Sequence, residues 1–240
     1  NNPKLAEECA DYAAEINAVA IEMDELVHDI LDVESAALCG SFSVDLSKEV
    51  NLRDVIRRSV KLNYDFALKK NISLKVEIAE DLKLVKLDAK RMKQVLTNLI
   101  SNAVKYSRAG SEVRVVVKEN NHPTSWALGL LAQNSRSGCL SNVQSIFTHK
   151  SYVLSESQSF RDCQKWLEIS VIDQGFGMTE FQIKTAFEKY QTIQNPNSGS
   201  VDSFGLGLPI TKQLVELQNG KIEVISEVGK GTEMKIKFPL

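Results

Sequence analysis

A chain of 240 residues is long enough for one good core and a smaller element. Its net charge of −2 and sequence pI of about 6.0 argue against a nucleic-acid binder working through bulk positive charge. No run of about 18 apolar residues occurs, so no membrane segment is expected in it. No signal peptide is visible, and a chain that opens at Asn1 reads as an excised fragment. Cys9, Cys39, Cys139 and Cys163 form no C-x-x-C pair, and His28, His122 and His149 show no metal-ligand spacing with them. Free thiols in a reducing compartment are expected, and no metal held by protein side chains alone.

Taken in order, residues 4–34 carry apolar positions at Cys9, Ile16, Met23, Ile30 and Val33, with intermediate ones at three-and-four spacing and acids between. That pattern predicts a helix with an a/d-like stripe, able to pack in a helical bundle. A break is expected at 37–43, a short strand at 42–45 and a helix over 52–69. Strands are expected at 72–78 and 83–87, then a helix capped by Asp88. That helix buries Met92, Val95, Leu96, Leu99, Ile100, Ala103 and Val104. Residues 112–118 and 167–173 read as strands, 179–187 as a short helix, and 206–218 as a helix closed by Gly220. Two strands, 221–226 and 232–238, flank the turn Gly229-Lys230-Gly231. Between the strands 112–118 and 167–173, residues 120–165 are a long polar, serine-rich insertion with apolar patches at 126–131 and 143–147.

Three stretches carry chemistry. On the helix from Asp88, residues Asn98, Asn102 and Lys105 fall at i, i+4 and i+7 and share one face, opposite the apolar stripe. Two amides and an ammonium suit a triphosphate with its Mg²⁺, which takes a few hard oxygens plus phosphate and water. Tyr106 could close over phosphates or sugar. The apolar strand 167–173 ends in Asp173, whose carboxylate can accept from an exocyclic amine. Gly175 and Gly177 then allow close backbone approach to a flat base. Gly205-Leu206-Gly207-Leu208 opens a helix, where free N–H groups and the dipole favour phosphate. Upstream, 192–204 reads as a lid. No Walker-type Gly-x-x-x-x-Gly-Lys-Ser/Thr occurs, nor a Rossmann order.

In combination, these stretches resemble the catalytic ATP-binding domain of sensor histidine kinases, within the GHKL ATPase superfamily. Residues 90–106 resemble the N box, Asp173–Met178 the first glycine box, and Phe187-Glu188-Lys189-Tyr190 the F box. Gly205–Ile210 resembles the second glycine box, and Gly229–Thr232 the terminal Gly-x-Gly-Thr turn. The resemblance spans about residues 45–240 apart from the insertion. It implies an α/β fold: a two-layer α/β sandwich (the GHKL or Bergerat fold), its mixed sheet covered by helices on one face, with an N-terminal bundle helix. Residues 26–34 resemble the end of the second dimerisation helix, so 1–40 would be a partial dimerisation segment and 41–240 the catalytic domain. The resemblance implies ATP and Mg²⁺, with Asn102 ligating the metal beside Asn98, and Lys105 and Tyr106 on phosphates. Asp173 would bind the adenine amine. Gly175, Gly177, Met178, Gly205, Leu206, Gly207, Leu208 and Thr232 would complete the pocket. Asn98, Asn102 and Lys105 would be the catalytic set.

Position 98 separates branches. Gyrase, mismatch-repair and chaperone ATPases carry Glu four residues before the metal-binding Asn, as the general base toward water; mitochondrial protein kinases of this superfamily resemble that pattern too. Asn98 is an amide and takes no proton, which favours phosphoryl transfer to an external acceptor. Nothing matches the acceptor pattern His-acid-Leu-Arg-Thr-Pro: His28-Asp29 is followed by Ile-Leu-Asp-Val, and His28 reads as a structural or surface residue. The acceptor helix is expected upstream of Asn1. The implied partners are that helix and a response-regulator receiver domain, in a homodimer, at a cytoplasmic location with any membrane anchor in a longer protein. Ser203 stands where the family has Gly, and Phe204 where a small residue is usual. These and the insertion motivate an alternative, a nucleotide-sensing or scaffolding pseudokinase. A GHKL hydrolase is the third reading.

Overall fold

The computed structural model describes Tyr12 and residues 44–120, 151–153, 165–191 and 205–240. The chain divides into two units, 1–43 and 44–240. In the first, Tyr12 is helical. The rest of the helix expected over 4–34, the break at 37–43, His28 and the four cysteines lie outside the described residues, as do the lid 192–204 and most of the insertion.

The second unit runs β1 (Glu49–Val50), α1 (Leu52–Lys69), β2 (Ser73–Ile78), β3 (Val85–Lys86), α2 (Ala89–Tyr106), β4 (Glu112–Asn120), β5 (Ser151–Val153), β6 (Trp166–Asp173), α3 (Glu180–Thr185), α4 (Gly207–Leu217), β7 (Lys221–Glu227) and β8 (Gly231–Pro239). Six strands form one mixed sheet in the order β2-β4-β6-β8-β7-β5, and β1 pairs with β3 apart from it. Only β2 and β4 are parallel among these six, and α2 makes the crossover between them. Strand alternation gives the sheet an apolar face. Val113, Val115, Val117, Leu167, Ile169, Val171, Ile222, Val224, Ile236 and Phe238 are buried there. The long helices cover this face, each with an apolar stripe.

Local chemistry sets the ends of these helices. Asn51 caps α1 by accepting from Arg53 N at 3.1 Å. Its other end closes through Asn71 at φ 55, with Ile72 N donating to Ala67 O at 2.8 Å. Asp88 caps α2, its Oδ1 accepting from Lys90 N and Arg91 N at 2.9 and 3.1 Å. Thr179 and Gln182 form a capping box on α3. That box starts α3 at Glu180, inside the expected span, and a turn with Glu188 N on Thr185 O at 2.9 Å ends it early.

Two local expectations are corrected. Val44 and Asp45 are not strand; the first strand among the described residues is Glu49–Val50. Asp45 Oδ1 instead accepts from Ser47 N at 3.0 Å, and such a local side-chain bond competes with a ladder. At the end of α4, the left-handed residue is Asn219, at φ 59, rather than Gly220. Asn219 N donates to Glu216 O at 2.9 Å and Gly220 N to Val215 O at 2.8 Å, the two bonds of a Schellman closure.

On the other face of the sheet, Lys237 Nζ lies 2.6 and 2.7 Å from the Glu223 oxygens, with both side chains almost fully buried. Removing one member of such a pair strands the other charge, at a cost of about 3–5 kcal/mol. The neighbouring Lys235–Glu233 pair is more exposed. Lys237→Met is therefore expected to lower stability by about 3 kcal/mol in urea titrations, and Lys235→Met by under about 1 kcal/mol. Equal losses would contradict the burial argument.

Candidate functional site

The site grows from both ends of one helix face. Asp173 closes β6 opposite Thr232 on β8. Its Oδ1 accepts from Gly175 N at 2.8 Å and Thr232 N at 3.1 Å. The first is the short reach that an Asp-x-Gly sequence allows. The side chain is buried, and burial pushes its carboxyl up from 3.8 to about 6, although both N–H bonds pull the other way. At neutral pH it is a buried carboxylate, well suited to accept from an exocyclic amine.

The turn after it is tied to the end of α2. Ser107 bridges to Gly175, and Phe176 N donates to Tyr106 O at 3.3 Å. Gly177 sits at φ 66, and a Cβ there would collide with Glu227 O, so no other residue fits this turn without rebuilding it. Met178 is buried, and its N–H donates to Ser226 Oγ at 2.8 Å. Ser226 Oγ also donates to Gly231 O at 3.0 Å and lies 2.9 Å from Thr232 Oγ1. One hydroxyl thus joins the first glycine stretch to the terminal turn. Sequence reasoning named Thr232 and missed Ser226; the pairing of these two residues across the hairpin was the available signal. Arg108 was missed as well. Its guanidinium lies 5.6 Å from the Phe176 ring centroid and donates to Gly229 O at 3.2 Å, holding the same two turns together from outside.

At the other end, Asn98 and Asn102 sit one turn apart, and Asn102 Nδ2 donates to Asn98 Oδ1 at 3.3 Å. Gly207 packs on the Asn98 amide: a Cβ there would lie 2.5 Å from Oδ1 and 2.9 Å from Nδ2. Asn98 Nδ2 donates to Thr211 Oγ1 at 2.6 Å. Helix α4 starts at Gly207 after Leu206, whose side chain makes no capping bond to the first-turn N–H groups. Leu206 is buried and Leu208 half-buried. Gly205 O accepts from Tyr190 N at 3.1 Å, which joins the two ends of 192–204. Lys105 Nζ stands 5.9 Å from the Tyr106 ring centroid.

The candidate residues thus fall into two clusters: Asp173, Gly175, Gly177, Met178 and Thr232 at one, and Asn98, Asn102 and Gly207 at the other. Tyr106, on the first, follows Asn98 by two turns of α2, about 12 Å at 1.5 Å per residue. An extended nucleoside triphosphate has comparable reach. No group of three His, Cys, Asp or Glu side chains able to hold a metal exists among the described residues. A cation here would need phosphate and water oxygens, and no hydrogen bond among the described residues occupies Asn102 Oδ1.

Several known proteins are similar to this chain. Residues 139–240 match the family described as histidine kinase-, DNA gyrase B-, and HSP90-like ATPase. Histidine kinase 5 of Arabidopsis thaliana is 29% identical over 216 residues, covering 90% of this chain and 21% of that protein. Sensor histidine kinase GacS of Pseudomonas protegens is 29% identical over 231 residues, covering 96% and 21%. Adaptive-response sensory kinase SasA of Prochlorococcus marinus is 28% identical over 220 residues, covering 91% and 45%. The chain therefore spans about a fifth to under a half of these relatives' length. Among solved structures, full-length ShkA in complex with AMPPNP superposes with a TM-score of 0.60 at 22% identity, over 95% of this chain and 38% of that one. The nucleotide-free catalytic domain of histidine kinase ThkA gives 0.52 at 21% identity, over 82% and 96%. Residues 139–240 are thus similar to the ATPase domain of that family, the similar curated proteins bear histidine-kinase names, and the fold is that of histidine-kinase catalytic domains.

A pH signature follows from Asp173. Its folded-state value lies above the unfolded one, so folding favours the protonated form. That contribution is complete below about pH 3.8 and is lost as pH rises through about 6. Asp173→Asn cannot ionise, so it should gain on the wild type by about 3 kcal/mol at pH 8 and by roughly half that at pH 5. Urea denaturation at the two pH values reads this directly. Parallel pH profiles for the two proteins would refute it.

Proposed function

We propose that this chain is the catalytic region of a protein-histidine kinase. It binds Mg-ATP and transfers the γ-phosphoryl to a histidine on a dimerisation helix, for relay to a response-regulator aspartate. The observation that carries this reading is the amide at position 98. Asn98 lies where a hydrolase of this family would hold its base, and hydrogen bonds on both sides commit its amide group. It has no basic site for a water proton.

In this reading Asp173 accepts from the adenine amine, with Gly175, Gly177, Met178 and Thr232 shaping the wall around the base. Asn102 Oδ1 offers one hard oxygen to Mg²⁺. Lys105 offsets phosphate charge, and Tyr106 lies beside it. Gly205, Leu206, Gly207 and Leu208 present backbone N–H groups to the phosphates. The metal, when bound, would neutralise charge developing on the β- and γ-oxygens. Catalysis then rests on positioning and on charge stabilisation, with the proton chemistry supplied by the acceptor histidine and its neighbouring acid. Residues 1–40 form a partial dimerisation segment of a homodimer, and 41–240 the catalytic domain, with 120–165 a long polar insertion within it. No helix of the described residues is long and apolar enough to cross a membrane. A cytoplasmic location belongs to the kinase reading, whose phosphoryl donor is ATP.

The test supplies a dimerisation-helix polypeptide bearing the acceptor histidine, with radiolabelled ATP. Acid-labile label should appear on that polypeptide, and Asn102→Ala should reduce it by at least about 100-fold. Without the acceptor, phosphate release should stay at background. Steady release that Asn98→Ala abolishes would replace the kinase reading with a hydrolase. Nucleotide binding without any transfer would replace it with a sensor.

A further inference from the structure

Thr211 is a buried hydroxyl that the mechanism above does not use. It lies on α4 one turn beyond Gly207, so the two share a face, and it is 1% exposed. Both touch the same group. Gly207 packs flat against the Asn98 amide, and Thr211 Oγ1 accepts from its Nδ2 at 2.6 Å.

A primary amide has one donor end and one acceptor end on a plane. Once Thr211 engages the nitrogen of Asn98, Oδ1 must point the other way, where it accepts from Asn102 Nδ2 at 3.3 Å. That in turn uses the nitrogen of Asn102 and leaves its oxygen to be presented. The orientation of Asn102 is thus coupled through Asn98 to a hydroxyl on another helix, which here takes the amide N–H. With the Thr211 hydroxyl gone, Asn98 can turn over about its last torsion, which is broad and roughly two-fold. Asn102 would then follow, and present an NH₂ group where a cation needs oxygen.

We propose that Thr211 is a positioning residue that selects the oxygen of Asn102 for the divalent cation. This rests on the reading of Asn102 as a metal-facing amide. It gives α4 a second task, since the helix that presents its N-terminus to phosphate also orders the metal-facing amide.

The experiment compares wild type, Thr211→Val and Thr211→Ser. Valine keeps the shape and removes the hydroxyl; serine keeps the hydroxyl. Calorimetry measures ATP binding with Mg²⁺, ATP binding in EDTA, and adenosine binding, and thermal unfolding checks that each variant is folded. Outer partners of metal ligands typically change metal affinity by about 10–100-fold. Thr211→Val should therefore lose about tenfold or more of the Mg²⁺-dependent gain in ATP affinity. Its adenosine binding should be unchanged, and Thr211→Ser should keep the gain. A valine variant with the full gain would overturn the proposal, as would equal loss of adenosine binding or failure of serine to restore. In those cases the ATP reading stands, because wild type still binds. If wild type itself shows no Mg²⁺-dependent binding, the reading of Asn102 fails, and the role of Thr211 with it.

Discussion

Everything at this site depends on one helix being held rigidly at both ends. Helix α2 buries seven apolar side chains along one stripe and carries Asn98, Asn102 and Lys105 on another. Asp88 fixes its start: besides capping α2, it receives Asp45 N on Oδ2 at 3.1 Å, and its own N–H donates to Gln218 Oε1 at 2.9 Å. Its end is held by Lys70, whose ammonium donates to Val104 O at 3.2 Å and Lys105 O at 2.6 Å. Those carbonyls carry the negative end of the helix dipole, so a cation there is stabilising. Between the ends, Ser59 and Asn63 of α1 are buried and bond to α2 carbonyls at Lys93 and Thr97, 3.4 and 3.5 Å away, which fixes register as well as contact. The polar face of α2 can carry function because the rest of the helix is so fully constrained.

The two clusters then work under opposite physical demands. The amide cluster is neutral, and its members satisfy one another at little desolvation cost. The Asp173 cluster buries a charge that folding alone would prefer protonated. Backbone N–H groups from Gly175 and Thr232 offset part of that penalty, and a bound amine would offset more. A destabilised acceptor of this kind gains more from a matching donor than a solvated one does. It also explains why the surrounding turns are tied so tightly, through Ser226 and Arg108. A loose turn would let water in and relax the carboxylate.

Much of this was legible in the sequence where periodicity and caps coincide. The helices 52–69 and 89–106 and the strands from 112, 166, 221 and 231 follow from alternation and three-and-four spacing, with ends within a few residues. The candidate set was legible because Asn98, Asn102 and Lys105 share a helix face, and because Asp173 lies where a strand ends. What the sequence hid was partnership across elements. Ser226, Arg108 and Thr211 are unremarkable residue types, and their roles arise only when β7 meets β8, when the loop after α2 meets two turns, and when α4 meets α2. The end of α4 was hidden for a different reason. Gly220 was the stronger left-handed candidate by composition, but Asn219 precedes it and tolerates the same φ, so the closure forms one residue earlier.

The link from α4 to α2 bears on how nucleotide contact and metal chemistry are joined. Gly207 and Thr211 grip a single amide from above and from the side, so a shift of α4 reaches Asn98 through contact and through a hydrogen bond at once. The segment leading into α4 begins at Gly205, whose carbonyl is held by Tyr190. Phosphate binding at the first turn of α4 would therefore bias the seat of Asn98, and through it the face that Asn102 presents. A carboxylate at position 98 could not keep this arrangement. The bond to Thr211 would have to reverse, with the hydroxyl donating to the carboxylate. The amide at 98, the hydroxyl at 211 and the missing side chain at 207 thus form one mutually dependent set, in which the donor end and the acceptor end of a single amide are both engaged.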